Sequence, residues 1–389
     1  MTEGRRLHIH HLITKLELGG AQQNTLYCTR HHDRNKFRVS LGTGPGGVLD
    51  GEARRIPRAE ISFFPDLVRE VSPLKDAVFL FKFIRFLRRE KVDILHTHSS
   101  KAGILGRLAA SAARTPVVVH TVHGWGFHDF QRKPVRALYV GLERLVAPLT
   151  DVLIAVSREN IDRGLREGIG HRTQYSLVRS GIDTSMYARP GKSRAAVRRS
   201  LGIPASAPVV GTVGNFKPQK APLDFISMAA LVLRAVPRAW FVLAGDGELR
   251  EASERAAERA GIRKRVVFAG WRRDIPDLLG AFDVFALSSL FEGLPRSVLQ
   301  AHSAGLPVAA TDAGGTAEAV RDGVTGYIVK PRDPAALARR VVDLLRNPAR
   351  AKAMGEAGRR AIGAEFEIKN MLHAIENCYL ELACRKGLA

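Results

Sequence analysis

The stretch FEGLPRSVLQA, Phe291–Ala301, sets one carboxylate, Glu292, ahead of a Gly293-Leu294-Pro295 turn and one amide, Gln300, eight positions further on. The turn and the spacing after it predict a helix from about Arg296, whose first backbone N–H groups face back towards the turn. An anion held there has Glu292 on one side, accepting from hydroxyls, and Gln300 on the other. A diphosphate flanked by two hydroxyl-bearing groups is the outline of a nucleoside-diphosphate sugar.

Three further stretches suit the same ligand. In VGTVGNFKPQKAPLDF, Val210–Phe225, a strand ends at Gly214 and the loop behind it offers Lys217 and Lys220 before a helix. Lysines placed there meet phosphate as point charges. VHTVHGWGFHD, Val119–Asp129, puts His123 at a strand's end with glycine directly after it, a position for an acid, a base or a hydrogen-bond partner. LELGGAQQN, Leu16–Asn24, is a Gly19-Gly20 turn between strand and helix, where backbone N–H groups approach an anion closely.

The elements that position these groups follow from the apolar pattern. Leu7–Ile13, Phe37–Thr43, Val92–His98, Pro116–His123 and Asp151–Ser157 read as buried strands, with helical periodicity over Ala21–His31 and Pro73–Glu90. The second half repeats the scheme with Pro208–Asn215, Ala239–Gly247, Arg265–Gly270, Asp283–Ser289 and Leu306–Asp312. Strand–helix alternation in both halves predicts an α/β chain of two doubly wound Rossmann-like domains facing across a cleft at the strands' C-terminal ends. Pro190, Gly191 and their polar neighbours break the periodicity, which sets the domains at 1–187 and 188–365. Residues 366–389 read as a terminal helix, expected to pack back on the first domain.

Composition excludes several classes. The chain has 389 residues, 45% hydrophobic and 25% charged, with no apolar run able to span a bilayer, and its first residues lack an uninterrupted apolar core, so no signal peptide is expected. Its net charge of +22 divides evenly, +12 over residues 1–190 and +10 beyond, so it is not a basic tail. Such a surface attracts nucleic acid, anionic lipid or phosphorylated small molecules. No nucleic-acid motif is found and aromatic residues are only 7%, which argues against a stacking platform and predicts no nucleic-acid partner. Cys28, Cys378 and Cys384 are scattered, which suits a reducing cytosol and neither a disulfide framework nor a zinc site. Histidines at 8, 10, 11, 31, 32, 96 and 98 invite a metal, yet no HExxH and no Asp-x-Asp occurs, so they are expected to be buried or cleft-lining without one. GTGPGG, Gly42–Gly47, matches a dinucleotide fingerprint, but Pro45 and a polar, broken stretch follow, so a flexible connecting loop is expected. On the helix Pro73–Glu90, Phe79, Leu80, Phe83, Ile84, Phe86 and Leu87 share one arc, and Lys82, Arg85, Arg88 and Arg89 share the other with Phe81 among them. That cationic face keeps contact with an anionic membrane surface open.

The order GGAQ…HGWGFH…VSRENID…GNFKPQK…LAGDGELR…FAGWRRDIPDLL…FEGLPRSVLQAHSAGLPVAATDAGG resembles the retaining glycosyltransferases of family 4, the glycosyl transferases group 1, over roughly residues 5–365. The resemblance implies the two-domain GT-B fold and, at Glu292 and position 300, the family's Glu-x7-Glu pair. It further implies that Glu292 faces the donor hexose and Gln300 the ribose, and that Gly293, Leu294 and Pro295 present backbone to sugar and phosphate. Lys220 then neutralises the diphosphate, Gly19 and Gly20 close on the donor, and His123 sits beside the sugar. Gln300 replaces a carboxylate, which keeps an acceptor but loses charge assistance, an expected weakening of donor binding by about 1 kcal/mol. Asn215 stands where many members carry Arg beside the diphosphate, with Lys217 as a substitute charge, and Ala221 replaces the usual Gly.

What this implies is a retaining glycosyltransferase that needs no metal and no cofactor. It moves a hexose or derivative from a nucleotide-diphosphate sugar to a hydroxyl of a glycan or lipid-linked acceptor in lipid-linked or surface-polysaccharide synthesis, with His123 and Glu292 at the sugar. It is expected in the cytoplasm, with the basic helix allowing peripheral contact on the inner face of the membrane. Two alternatives stay open: a non-hydrolysing epimerase of nucleotide sugars, and a non-catalytic sugar- or anion-binding descendant.

Overall fold

The computed structural model describes residues 5–388. The chain forms two compact units, one made of residues up to Ser180 together with Lys369 onward, the other of Gly181–Ile368. In the first, β1 (Leu7–Lys15), β2 (Phe37–Gly44), β3 (Ala59–Phe63), β4 (Ile94–His98), β5 (Val117–Val122), β6 (Val152–Ala155) and β7 (Tyr175–Leu177) pair as a seven-stranded sheet in the order β3-β2-β1-β4-β5-β6-β7. In the second, β8 (Val209–Val213), β9 (Trp240–Ala244), β10 (Val266–Gly270), β11 (Val284–Leu287), β12 (Val308–Thr311) and β13 (Gly326–Val329) give the order β10-β9-β8-β11-β12-β13. All the strand pairs are parallel. The strand order reverses at β1/β4 and at β8/β11. Crossovers leave such a point on opposite faces, which opens a crevice at the strands' C-terminal ends.

Both sheets are covered on both faces, and this is why their central strands read as near-continuous apolar runs. In the first unit the helix Pro73–Arg89 lays Phe79, Phe83 and Leu87 on Leu12, Leu95 and Ala109, as its periodicity predicts. In the second, the helices Pro222–Ala235 and Pro334–Arg346 bring Phe225, Val232, Leu337 and Val341 onto Phe241 and Leu243. Gly211 in β8 has no room for a side chain, since a Cβ there would lie 1.9 Å from the buried Phe282 ring. Gly211→Ala is expected to lower the second unit's stability by about 1–3 kcal/mol, as overpacking does. The readout is a lower denaturant midpoint at unchanged slope, partly recovered by adding Phe282→Leu.

The structure departs from the sequence reading in three places. Strands β3, β7 and β13 were not expected; each is an edge strand of three to five residues, too short to show a period, and β3 and β7 are also largely unburied. The division between units falls at Ser180/Gly181, ahead of residue 187, because Thr184–Ala188 forms a helix that packs within the second unit. The terminal helix Ile368–Arg385 is no departure: it lies almost wholly in the first unit. The glycines of GTGPGG are there for close packing: a Cβ on Gly44 would sit 2.1 Å from the Leu67 carbonyl oxygen, and one on Gly47 2.5 Å from that of Leu16. The amides of Gly46 and Gly47 donate to the Asp50 carboxylate at 2.8 and 3.0 Å, where a dinucleotide loop would hold phosphate.

Candidate active site

The second unit gathers its candidate residues at the β8/β11 reversal. The loops after these strands are stitched together: the Leu290 amide donates to the Gln219 carbonyl at 2.7 Å, and the Ser288 hydroxyl reaches the carbonyls of Lys220 and Ala221 at 3.0 Å. Ala221 has the left-handed backbone that glycine adopts more readily, with φ 43°, and it opens the helix Pro222–Ala235.

Glu292 is held on three sides. Its Oε1 accepts from the Ser289 hydroxyl at 2.6 Å and from the Lys220 ammonium, while Gln219 Nε2 approaches Oε2 at 3.5 Å. The Glu292 side chain is only 6% exposed, against 24% for Lys220, so the pair works at reduced dielectric while the ammonium still meets solvent. Oε2, with one long contact, keeps acceptor capacity towards a hydroxyl. The sequence assigns the carboxylate to a sugar and the ammonium to a phosphate; the structure makes them direct partners as well. Gln219 lies inside the GNFKPQK motif and Ser289 ends the strand reading Asp283–Ser289, but neither has a role in the sequence reading. The one available signal was their adjacency to Glu292 and Lys220.

Behind this pair the loop after β12 acts as a brace. The Thr311 hydroxyl donates to the Ser289 carbonyl at 2.5 Å and the Gly315 amide to the Gly293 carbonyl at 3.1 Å. Gly314, at φ 56°, lies so near that a Cβ would be 2.1 Å from the Glu292 carbonyl oxygen. Gly293, Leu294 and Pro295 are buried, and the helix begins at Arg296 as predicted. Two of the N–H groups expected to face an anion, those of Val298 and Leu299, are taken by the Pro295 carbonyl at 3.0 and 3.4 Å. Gln300 donates through Nε2 to the Tyr187 hydroxyl at 2.8 Å. Burial raises the Tyr187 pKa, so this hydroxyl stays protonated. Asn215 and Lys217 sit half-buried on the loop directly after β8.

The first unit places its candidates at the ends of β1 and β5. Gly19, with extended backbone, caps the helix Gly20–His31. His123 follows β5 on a loop pinned by Trp125 Nε1 on the Asn160 carbonyl at 2.9 Å and by Asn160 Nδ2 on the Val122 carbonyl at 3.3 Å. Beneath it the parallel register sets His11 opposite His96 and His98 opposite Thr121, all four fully or almost fully buried. His11, His96 and His98 each bring one ring nitrogen within 4.8 Å of the others. Every nitrogen of these three rings already bonds a protein group: His11 to His98 and His32, His98 also to His123, and His96 to Thr121 and Tyr379. Burial drives their pKa values well below the ordinary histidine range, with the neighbouring rings adding to the effect, so the cluster is neutral.

Residues 193–361 match the family model for glycosyl transferases group 1, and residues 18–186 that for glycosyltransferase family 4. The chain is 32% identical, over 98% of its length and 98% of the relative's, to the UDP-Gal:alpha-D-GlcNAc-diphosphoundecaprenol alpha-1,3-galactosyltransferase of Escherichia coli. It is 33% identical to the putative glycosyltransferase EpsD of Bacillus subtilis, over 69% of this chain and 71% of that one. Among solved structures, Anabaena HepE in complex with UDP-glucose superposes with a TM-score of 0.84 at 22% identity, covering 97% of this chain and all of that one. WaaG, a glycosyltransferase involved in lipopolysaccharide biosynthesis, gives 0.76 at 17% identity, covering 94% and 99%. These structures share the two-sheet GT-B architecture.

Proposed function

The chain belongs to the family 4 glycosyltransferases, the glycosyl transferases group 1, and from that premise we propose that it is a retaining hexosyltransferase using a UDP-sugar donor and a lipid-diphosphate-linked sugar acceptor in polysaccharide synthesis. The observation that carries the reading is the Lys220–Glu292 pair, built by Ser289 and Gln219 where β8 and β11 end. It supplies a hydroxyl acceptor and a phosphate-seeking cation side by side. The likeness over 98% of both chains to an enzyme named for UDP-Gal and a diphosphoundecaprenol acceptor supports the choice of nucleotide and acceptor class.

In this reading the bond between the sugar's anomeric carbon and the diphosphate oxygen breaks, and the acceptor oxygen bonds to the same face of that carbon. The departing diphosphate takes the acceptor's proton. Charge accumulates on the diphosphate, and Lys217, Lys220 and backbone N–H groups answer it in place, without reorganisation and without a metal ion. Glu292 and His123 orient the sugar, Gln300 accepts from the ribose, and Gly19, Gly20 and Asn215 line the donor. The test is transfer from UDP-hexoses to a short polyprenyl-diphosphate sugar with the product's anomeric configuration read by NMR, together with thermal shifts for UDP, GDP and ADP. A diphosphate at about a hundred times its Kd adds roughly 2.7 kcal/mol of apparent stability. An inverted product, or an altered sugar formed without acceptor, overturns the proposal.

We extend the proposal to the membrane surface where such an acceptor lies. No helix among the described residues is long and apolar enough to cross a membrane. Phe81 is 63% exposed on the cationic side of Pro73–Arg89. A second face is broader: on the helix Lys133–Val146, Val135, Leu138 and Leu145 are exposed within one arc, flanked by exposed Arg132, Lys133 and Arg144. Apolar side chains rimmed by cations fit an anionic bilayer surface. Binding to vesicles containing anionic lipid is expected to fall with salt and to drop about tenfold or more in Leu138→Glu/Leu145→Glu, and less in Phe81→Glu. Binding indifferent to salt and to all three substitutions rejects it.

A further inference from the structure

One carboxylate and four imidazoles of the first unit stand in single file. Glu376 Oε1 lies 3.0 Å from His32 Nδ1, His32 Nε2 lies 3.0 Å from His11 Nε2, His11 Nδ1 lies 3.0 Å from His98 Nε2, and His98 Nδ1 lies 3.1 Å from His123 Nε2. The sequence scatters these residues over β1, β4, the loop after β5, the end of the helix Gly20–His31 and the terminal helix Ile368–Arg385. The parallel register of β1 and β4 and the docking of the terminal helix bring them into line. His96 stands beside the file, satisfied by Thr121 and Tyr379, and takes no part in it.

A neutral imidazole has one N–H and one lone pair, so a file of neutral rings must point all its protons the same way. The end group decides which way. An ionised carboxylate only accepts, and Glu376 also takes the Asp33 amide at 2.9 Å, so His32 must donate to it from Nδ1. His32 Nε2 is then an acceptor, His11 donates from Nε2, His98 donates from Nε2, and His123 donates from Nε2 to His98. The opposite polarity would set a bare His32 nitrogen against a carboxylate oxygen at 3.0 Å.

We propose that Glu376 fixes the tautomer and orientation of His123 through His32, His11 and His98, so that His123 carries its proton on Nε2 and presents Nδ1 as a hydrogen-bond acceptor. The protonation states agree with this geometry. Burial holds His11 and His98 neutral, and it holds His32 low even beside a carboxylate. Burial pushes the Glu376 carboxyl up, but the bonds from His32 and the Asp33 amide outweigh it, and the group stays ionised. Glu376 and the three intervening histidines are therefore positioning residues for His123. The consequence at the sugar, a hydroxyl donating to Nδ1, rests on the function proposed above; the tautomer itself does not.

The test uses the full chain grown with isotope-labelled histidine, and nitrogen–proton correlation NMR near neutral pH reads which ring nitrogen carries each proton. His123 is expected as the pure Nε2–H tautomer in the parent and in Glu376→Gln, whose side-chain oxygen still accepts from His32. In Glu376→Leu the Nδ1–H form of His123 becomes populated, and Glu376→Met serves if the leucine variant does not fold. A parent with His123 protonated on Nδ1, or a folded Leu or Met variant that keeps the pure Nε2–H form, overturns the proposal. Transfer assays separate the two ideas: kcat is expected to fall roughly tenfold in Glu376→Met at nearly constant donor KM, and to recover in Glu376→Gln. A shifted tautomer with unchanged transfer leaves the relay standing and removes His123 from the sugar.

Discussion

Glu292→Gln is expected to lower sugar transfer by about a hundredfold or more, with most of the loss in kcat. The substitution keeps shape and removes charge. In the parent the carboxylate is nearly buried, and it takes the Lys220 ammonium and the Ser289 hydroxyl on one oxygen. A neutral amide accepts a sugar hydroxyl more weakly, cannot balance positive charge growing on the sugar ring, and leaves the Lys220 ammonium without its counter-ion. Lys220→Met should act differently, weakening UDP binding by roughly tenfold or more because a nearly buried carboxylate is then left facing the diphosphate. The two groups touch, so the double variant should lose less than the sum of the singles. Steady-state rates and UDP titrations measure both, and turnover within about threefold of the parent in Glu292→Gln removes the carboxylate from the reaction.

The second large effect is acid lability confined to one unit. His10, His11, His96, His98 and His120 are buried, and burial depresses all five, His10 to about 3. Unfolding returns each to its ordinary value near 6.5, so below that pH the unfolded chain takes up protons that the folded unit refuses. Their contribution is complete above about pH 6.5 and is lost as pH falls towards the folded values, by roughly 1.4 kcal/mol per pH unit for each histidine. Five together reach about 7 kcal/mol per unit, against a typical total of 5–15 kcal/mol, so the first unit should unfold between about pH 5 and 6. Residues 181–368 contain one histidine, His302, depressed by burial to about 4, and that unit should persist to lower pH. Trp125 reports on the first unit, and Trp240 and Trp271 on the second. In Trp240→Phe/Trp271→Phe the remaining emission should shift at the higher pH. A single transition below about pH 4, seen by all three tryptophans, contradicts the account.

Much of the architecture was legible because buried parallel strands leave apolar runs and the helices between them leave a 3.6-residue period. Phe79, Phe83 and Leu87 were readable as a core face for that reason. The edge strands β3, β7 and β13 were not, since three to five residues leave too little pattern to read. The Glu292 motif was legible as a turn before a helix, but the contacts of Glu292 with Lys220 and Gln219, 72 and 73 residues away, arise only from the β8/β11 pairing. The histidines were expected buried or cleft-lining without a metal. That each bonds the next depends on the register of β1 against β4, which one strand's sequence cannot state.

The chain leaves the first unit after Ser180 and re-enters it at Lys369, with Ile182 bridging Glu367 just inside the second. Synthesis runs from the N-terminus, so the second unit is complete while the first still lacks the helix that carries Glu376 and Tyr379. Until that helix emerges, His32 has no carboxylate and His96 no phenol, and the face of the first sheet they occupy is uncovered. The unit that begins the chain is thus the one finished last. Its nascent form should depend on chaperones and be more exposed to proteases than the unit inserted into it, and a stalled or truncated product should present a folded second unit beside an unfinished first.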